Sequence, residues 1–131
     1  PVQIGEWTLT LTDSGAFPGK GLDENSVPVG NALVAAIIMI EPGPGVGSDD
    51  SSGCDADLVE RDSERTWSQL IEEWDFGYAI AEGSKTHCYL DEEPRQLELV
   101  YLTPDGVFDD VAIDLTINAD YANVFRFELT R

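Results

Sequence analysis

Ala32-Leu33-Val34-Ala35-Ala36-Ile37-Ile38-Met39-Ile40 is nine apolar residues without a break, bounded by Asn31 and by Glu41-Pro42-Gly43. A helix crossing a bilayer needs roughly 20 such residues. The run therefore belongs to a soluble core or to an interface, and no membrane insertion is expected. It is short for a helix, and Val34, Ile37, Ile38 and Ile40 are β-branched. The flanking segments read as strands. We expect a central strand covered on both faces. Small side chains at Ala32, Ala35 and Ala36 imply that something packs closely there.

Working outward, Trp7-Thr8-Leu9-Thr10-Leu11-Thr12 alternates strictly, as a half-buried strand does. Asp13 to Gly21 reads as a loop by its Gly and Pro content, and Leu22 to Gly30 continues irregularly. Beyond the central run, residues 41–56 read as one long loop, the kind that is usually functional or mobile. Thr66 to Trp74 carries Trp67, Leu70, Ile71 and Trp74 at helical spacing. Thr66 and Gln69 form a capping-box pattern, and Gly77 supplies a stop. This predicts one short α-helix, at about residues 66–74. Tyr78–Ala81 and Thr86–Leu90 flank Glu82-Gly83-Ser84-Lys85 as a predicted hairpin. Gln96–Leu102, Val111–Ile117 and Phe125–Leu129 alternate again, with Thr103-Pro104-Asp105-Gly106 as a turn. The sum is mainly β: an antiparallel β-sandwich or jelly-roll, in a single domain spanning residues 1–131.

The chain holds 26 Asp and Glu against seven Lys and Arg, a formal net charge of -19. The calculated pI is about 4.1. Nucleic acid and anionic membranes both call for a basic footprint, so neither is an expected partner. With 42% hydrophobic residues the chain is not a disordered acidic tail. Its charge coats a folded body that repels itself in dilute salt. Scarce Lys with abundant Asp resembles the composition of proteins from salt-accumulating archaea and their viruses. That resemblance implies a halophilic archaeal host or its virus. The first residues carry no signal-peptide pattern, and a start at Pro1 fits either loss of an initiator Met or processing of a precursor.

Catalytic motifs are few. His87 is the only histidine and adjoins Cys88, but a strand residue facing away from Cys88 is the simpler reading. One His and two distant Cys do not make a zinc site. Neither a phosphate-cradling Gly loop nor a nucleophile elbow occurs. Acids are too frequent for any pair to mark a hydrolase. Cys54 and Cys88 are candidates for one disulfide, tying the long loop to the body. Asp49 to Glu60 begins with an acid and has Glu twelfth, as an EF-hand loop does. Ser51, Gly53 and Cys54 at the third, fifth and sixth positions break that pattern. What remains is an irregular Ca2+ site from Asp49, Asp50, Asp55 or Asp57, with Asp109-Asp110 as a second acidic cluster. Folding requires no cofactor at this length.

The expected function is non-enzymatic. It is that of a structural or interaction protein, a subunit of a larger assembly adapted to high salt. A virion (capsid decoration, tail or spike) or a surface filament would supply that setting, on the virion or outside the cell. Its partners would be proteins, through self-association or docking. The alternative is a secreted carbohydrate- or calcium-binding β-sandwich module, with Trp7, Trp67, Trp74 and Tyr121 as a sugar platform. An acidic mimic of nucleic acid is a third reading. It needs charge ordered along one face, whereas the acids are spread through every loop.

Overall fold

The computed structural model describes residues 1–19, 27–63, 65–70, 78–117 and 120–129, with backbone only at 120–123. The strands in chain order are β1 (Val2–Ile4), β2 (Trp7–Pro18), β3 (Asn31–Pro42), β4 (Ser52–Glu60), β5 (Thr66–Trp67), β6 (Tyr89–Leu90), β7 (Arg95–Pro104), β8 (Val111–Ile117) and β9 (Asp120–Glu128). They form two antiparallel sheets packed face to face, a β-sandwich. The first sheet runs β1-β2-β3-β7; the second runs β5-β4-β8-β9, with β6 also paired to β4.

The apolar run lies inside β3, hydrogen-bonded to β2 on one side and β7 on the other. Its two faces have different destinations, as period-2 alternation requires. Val34, Ala36, Ile38 and Ile40 enter the core between the sheets. Leu33 and Ala35 enter a smaller cluster on the outer face, with Val27 and Val100. The inter-sheet core is completed by Leu97, Leu99 and Tyr101 from β7 and by Leu58, Ile113, Leu115 and Phe127 from the second sheet. Tyr101 is fully buried, and its phenol donates to the Ala56 carbonyl of β4 at 2.8 Å. That bond links the sheets and satisfies a hydroxyl that burial would otherwise penalise.

Several segments depart from the sequence expectations. The helix expected at 66–74 does not form over its first residues. Thr66 and Trp67 are β5, and residues 68–70 have no regular structure. Ile71 and Trp74 lie outside the described residues. The apolar spacing has another cause. Trp67 packs on the inter-sheet core, whereas Leu70 packs on the outer cluster, because the chain crosses from one sheet to the other between them.

Asp13 to Pro18 is strand rather than loop. β3 is twelve residues long, and β2 follows it to Pro18↔Ala32, taking up a register shift between Leu11 and Asp13. The long loop is shorter than 41–56, since β3 continues to Pro42 and β4 begins at Ser52. Its start is pinned, because Gly43 donates its N–H to the Glu6 carbonyl at 2.7 Å. A Cβ at Gly43 would fall 2.7 Å from the same oxygen, so the approach needs glycine.

The hairpin expected across 78–90 is absent too. Tyr78–Ala81 is not a strand and does not pair with 86–90. It covers the outer face of the first sheet through Tyr78 and Ile80.

Candidate functional site

Alternation on β4 sends Cys54, Ala56 and Leu58 inward and leaves Asp55 and Asp57 exposed on the outer face. Asp57 lies across from Asp114 of β8. Partial burial raises the Asp57 pKa above its ordinary value, and the charges of Asp55 and Asp114 raise it further. Asp114 is held by Arg126 of β9 in a two-pronged pair at 2.6 and 2.8 Å. Asp49 and Asp50 lie apart from these, in the turn before β4. There Asp50 accepts the Gly47 N–H at 2.9 Å and returns its own N–H to the Gly47 carbonyl at 3.0 Å. Among the described residues, no group of three or more His, Cys, Asp or Glu is placed to hold a metal ion. Asp109 and Asp110 fall on a 3-10 turn at Phe108–Asp110, and their carbonyls receive the Arg61 side chain and backbone N–H.

Cys54 and Cys88 are joined by a disulfide, Cα to Cα 5.1 Å, and the Cys54 N–H donates to the Cys88 carbonyl. A bonded Cys88 sulfur is no nucleophile. His87 is exposed, stacks on Tyr89 with ring centroids 6.1 Å apart, and offers its carbonyl to Arg95. Trp7 and Trp67 are half-buried and pack on the inter-sheet core. Trp7 donates its indole N–H to the Asp91 carbonyl at 2.8 Å, and the Arg65 guanidinium lies over Trp67. Trp74 and the Tyr121 side chain lie outside the described residues.

Glu98 is the feature that sequence reading missed. Strand alternation on β7 assigns it to the outer face, where a carboxylate ordinarily meets water. Here it is 2% exposed. One oxygen accepts the Tyr78 hydroxyl and the other accepts the Ala81 N–H at 3.1 Å. Two converging donors match the acceptor-only chemistry of a carboxylate. The available signal was Val100, apolar on the same outer face two residues on. The segment that Glu98 clamps continues to Lys85, which exchanges 2.8 Å backbone hydrogen bonds with Gln96 and Glu98 along the outer side of β7. Leu70 adds another to Val100. The β7 edge is thereby covered.

Next to this cover, Phe17 is 52% exposed and meets Tyr78 edge-on, ring centroids 6.1 Å apart. The two rings line an open groove of about 300 Å³, with Ala35 and Ile37 and with Asp13 and Ser14 among its polar residues.

The second sheet ends differently on its two sides. β5 and β6 pair with β4, and β5 also lies against β7. At the other end β9 pairs with β8, and its outer side meets no strand among the described residues. Val124, at the middle of this nine-residue strand, is 55% exposed. Arg126 is paired to Asp114 and Glu128 to Arg61.

The class defined here is an acid-coated β-sandwich tied by one disulfide; among the described residues, no strand pairs with the outer side of β9 or with that of β2 beyond Leu9. Compared with known proteins, the chain matches no family model, no curated protein and no solved structure.

Proposed function

We propose that this chain is a structural protein that works by docking, as a subunit of a larger assembly in concentrated salt, such as a virion surface or an extracellular filament. The observation that carries this reading is the outer edge of β9 over residues 124–128, which meets no strand among the described residues. A strand at a sheet end is a template for pairing unless Pro, Lys, a bulge or a covering segment blunts it; the register shift of β9 falls before Val124 and leaves residues 124–128 regularly paired to β8. The sequence of β9 contains neither Pro nor Lys, and Val124 stands exposed at its centre. The salt setting is supported by charge. Were all seven basic side chains paired, nineteen carboxylates would still stand without a counter-charge (26 less 7). Native mass and negative-stain imaging in molar KCl test the reading. Ordered oligomers or arrays are expected. A strict monomer at every salt concentration would overturn it.

The Phe17–Tyr78 groove favours a second reading, a carbohydrate-binding module, since aromatic faces beside a carboxylate and a hydroxyl suit sugars. Calorimetric titration with neutral oligosaccharides separates the two, because only the second gives heat.

A further inference from the structure

We infer that residues 78–88 are a flap, hinged at the Cys54–Cys88 disulfide and latched by Glu98, which lifts as a unit while the sandwich stays folded. The inference goes beyond the docking function proposed above and does not depend on it. The hinge end is fixed to the second sheet. Cys88 is bonded to Cys54, its carbonyl accepts the Cys54 N–H at 3.1 Å, and β6 follows directly, paired to β4 with Leu90 fully buried. The latch end lies on the first sheet. There the Tyr78 hydroxyl and the Ala81 N–H both donate to the Glu98 carboxylate of β7. Between the two ends, Lys85 exchanges backbone hydrogen bonds with Gln96 and Glu98. The Ser84 hydroxyl accepts one from the Gln96 side chain, and the Thr86 carbonyl one from Gln69.

Burial sets this segment apart from the strands around it. From Tyr78 to His87 no residue is buried: Tyr78, Ile80 and Ser84 are half-buried and the other seven are exposed. Lifting the segment therefore takes no buried side chain out of either core. What it uncovers at the latch is the buried carboxylate of Glu98. Two donors satisfy that group, but they do little more than offset its loss of hydration. An open flap returns Glu98 to water, and the regained hydration offsets most of what the broken bonds contributed. Opening then costs much less than unfolding the sandwich, as in segments that carry few buried apolar contacts. The flap also occupies the outer edge of β7, where Lys85 holds the Gln96 carbonyl and the Glu98 N–H. Closed, it denies those groups to any other strand; open, it frees them for pairing.

Native-state hydrogen exchange on the intact chain tests the inference. The Ala81, Lys85 and Glu98 amides each lose an acceptor when the flap lifts. They should share one opening constant, about tenfold or more above that of the β3 amides. The Cys54 amide, at the hinge, should stay as protected as β3. Tyr78→Phe keeps the ring and removes one donor from the buried carboxylate. It should speed exchange at the three flap amides about tenfold, the scale of a hydrogen bond to a charged group, and leave β3 and Cys54 unchanged. If the three amides exchange no faster than β3, the segment opens only with the whole protein. If their rates are unrelated, it frays residue by residue. If Tyr78→Phe leaves them unchanged, or speeds β3 equally, Glu98 is no latch. Any of these results overturns the inference, and none of them bears on the docking function.

Discussion

Asp57 sits in an unfavourable place for a carboxylate, with Asp114 across the β4–β8 ladder and Asp55 on the same face. Its pKa is raised above the ordinary 3.8, by partial burial first and then by those two charges. A group raised in this way binds its proton more readily folded than unfolded. Its ionised form therefore weighs against the fold at neutral pH, and the penalty is relieved as pH falls through the raised value. Glu60 has the opposite sign. The Arg65 hydrogen bonds, with one from Ser63, hold its pKa below 4.5. Its support is present above that ordinary value and is lost as pH falls through the lowered one. Asp57→Asn should raise the thermal midpoint at pH 7 in dilute salt by about 2 °C, the scale of a surface change near half a kcal/mol. The gain should disappear at about pH 3, where carboxylates near their ordinary values are mostly protonated. It should shrink in molar KCl, where the Asp55 and Asp114 repulsion is screened. Calorimetry on both proteins decides this; a lower midpoint for the variant at pH 7 would show that Asp57 is not strained. Nothing in the local sequence distinguishes Asp57 from the chain's other acids. Its cross-strand neighbour lies 57 positions away, and only the register brings them together. Glu98 was hidden for a similar reason, since the segment that buries it comes from elsewhere in the chain.

Where alternation was strict, the strands could be read in advance: Trp7 to Leu11, the apolar run, Leu97 to Tyr101 and Val111 to Ile117 all lie in strands. Apolar residues alternate only when one element keeps one side to one core. The rule failed where a segment passes between two cores. From Trp67 to Leu70 the chain leaves the inter-sheet core for the outer cluster, and the resulting spacing imitates a helix. Gly15 and Pro18 imitated a loop, yet the length of β3 holds β2 extended through Gly15 as far as Pro18. The 78–88 segment has little regular structure and depends on attachments: Glu98 at its start, β7 at Lys85 and the disulfide at Cys88. The disulfide closes a separation of 34 residues. Chain entropy for such a loop corresponds to about 4 kcal/mol of stability. Replacing both cysteines, Cys54→Ala with Cys88→Ala, should cost about 3 to 4 kcal/mol in urea unfolding. Hydrogen exchange should accelerate first at the Lys85 and Cys54 amides. Unchanged stability and exchange would show that the other two attachments hold the segment alone.

Over the whole molecule, charge and fold set opposing demands. Among the described residues, four ion pairs use Arg61, Arg65, Arg95 and Arg126, each on a carboxylate beside it in the fold. They tidy local geometry and leave the overall surplus of nineteen negative charges in place. Unfolding moves those charges apart, so self-repulsion favours the unfolded chain most where screening is weakest. The Debye length falls from about 10 Å at 0.1 M salt to about 3 Å at 1 M. The thermal midpoint should therefore climb steeply below about 1 M KCl, by roughly 10 °C if repulsion amounts to two or three kcal/mol. Beyond that it should flatten, because little repulsion remains to be screened. The shape of the curve identifies the cause. A rise that stays linear to the highest salt would be exclusion of ions from the surface, which strengthens burial in proteins of any charge. A flat response from dilute salt upward would mean that the carboxylates are spaced widely enough not to oppose folding, and the proposed adaptation to brine would then have no physical basis. Association of subunits, as the proposed function requires, would add a dependence on protein concentration that screening alone does not produce. Repeating the curve at two protein concentrations separates screening within one chain from screening between two.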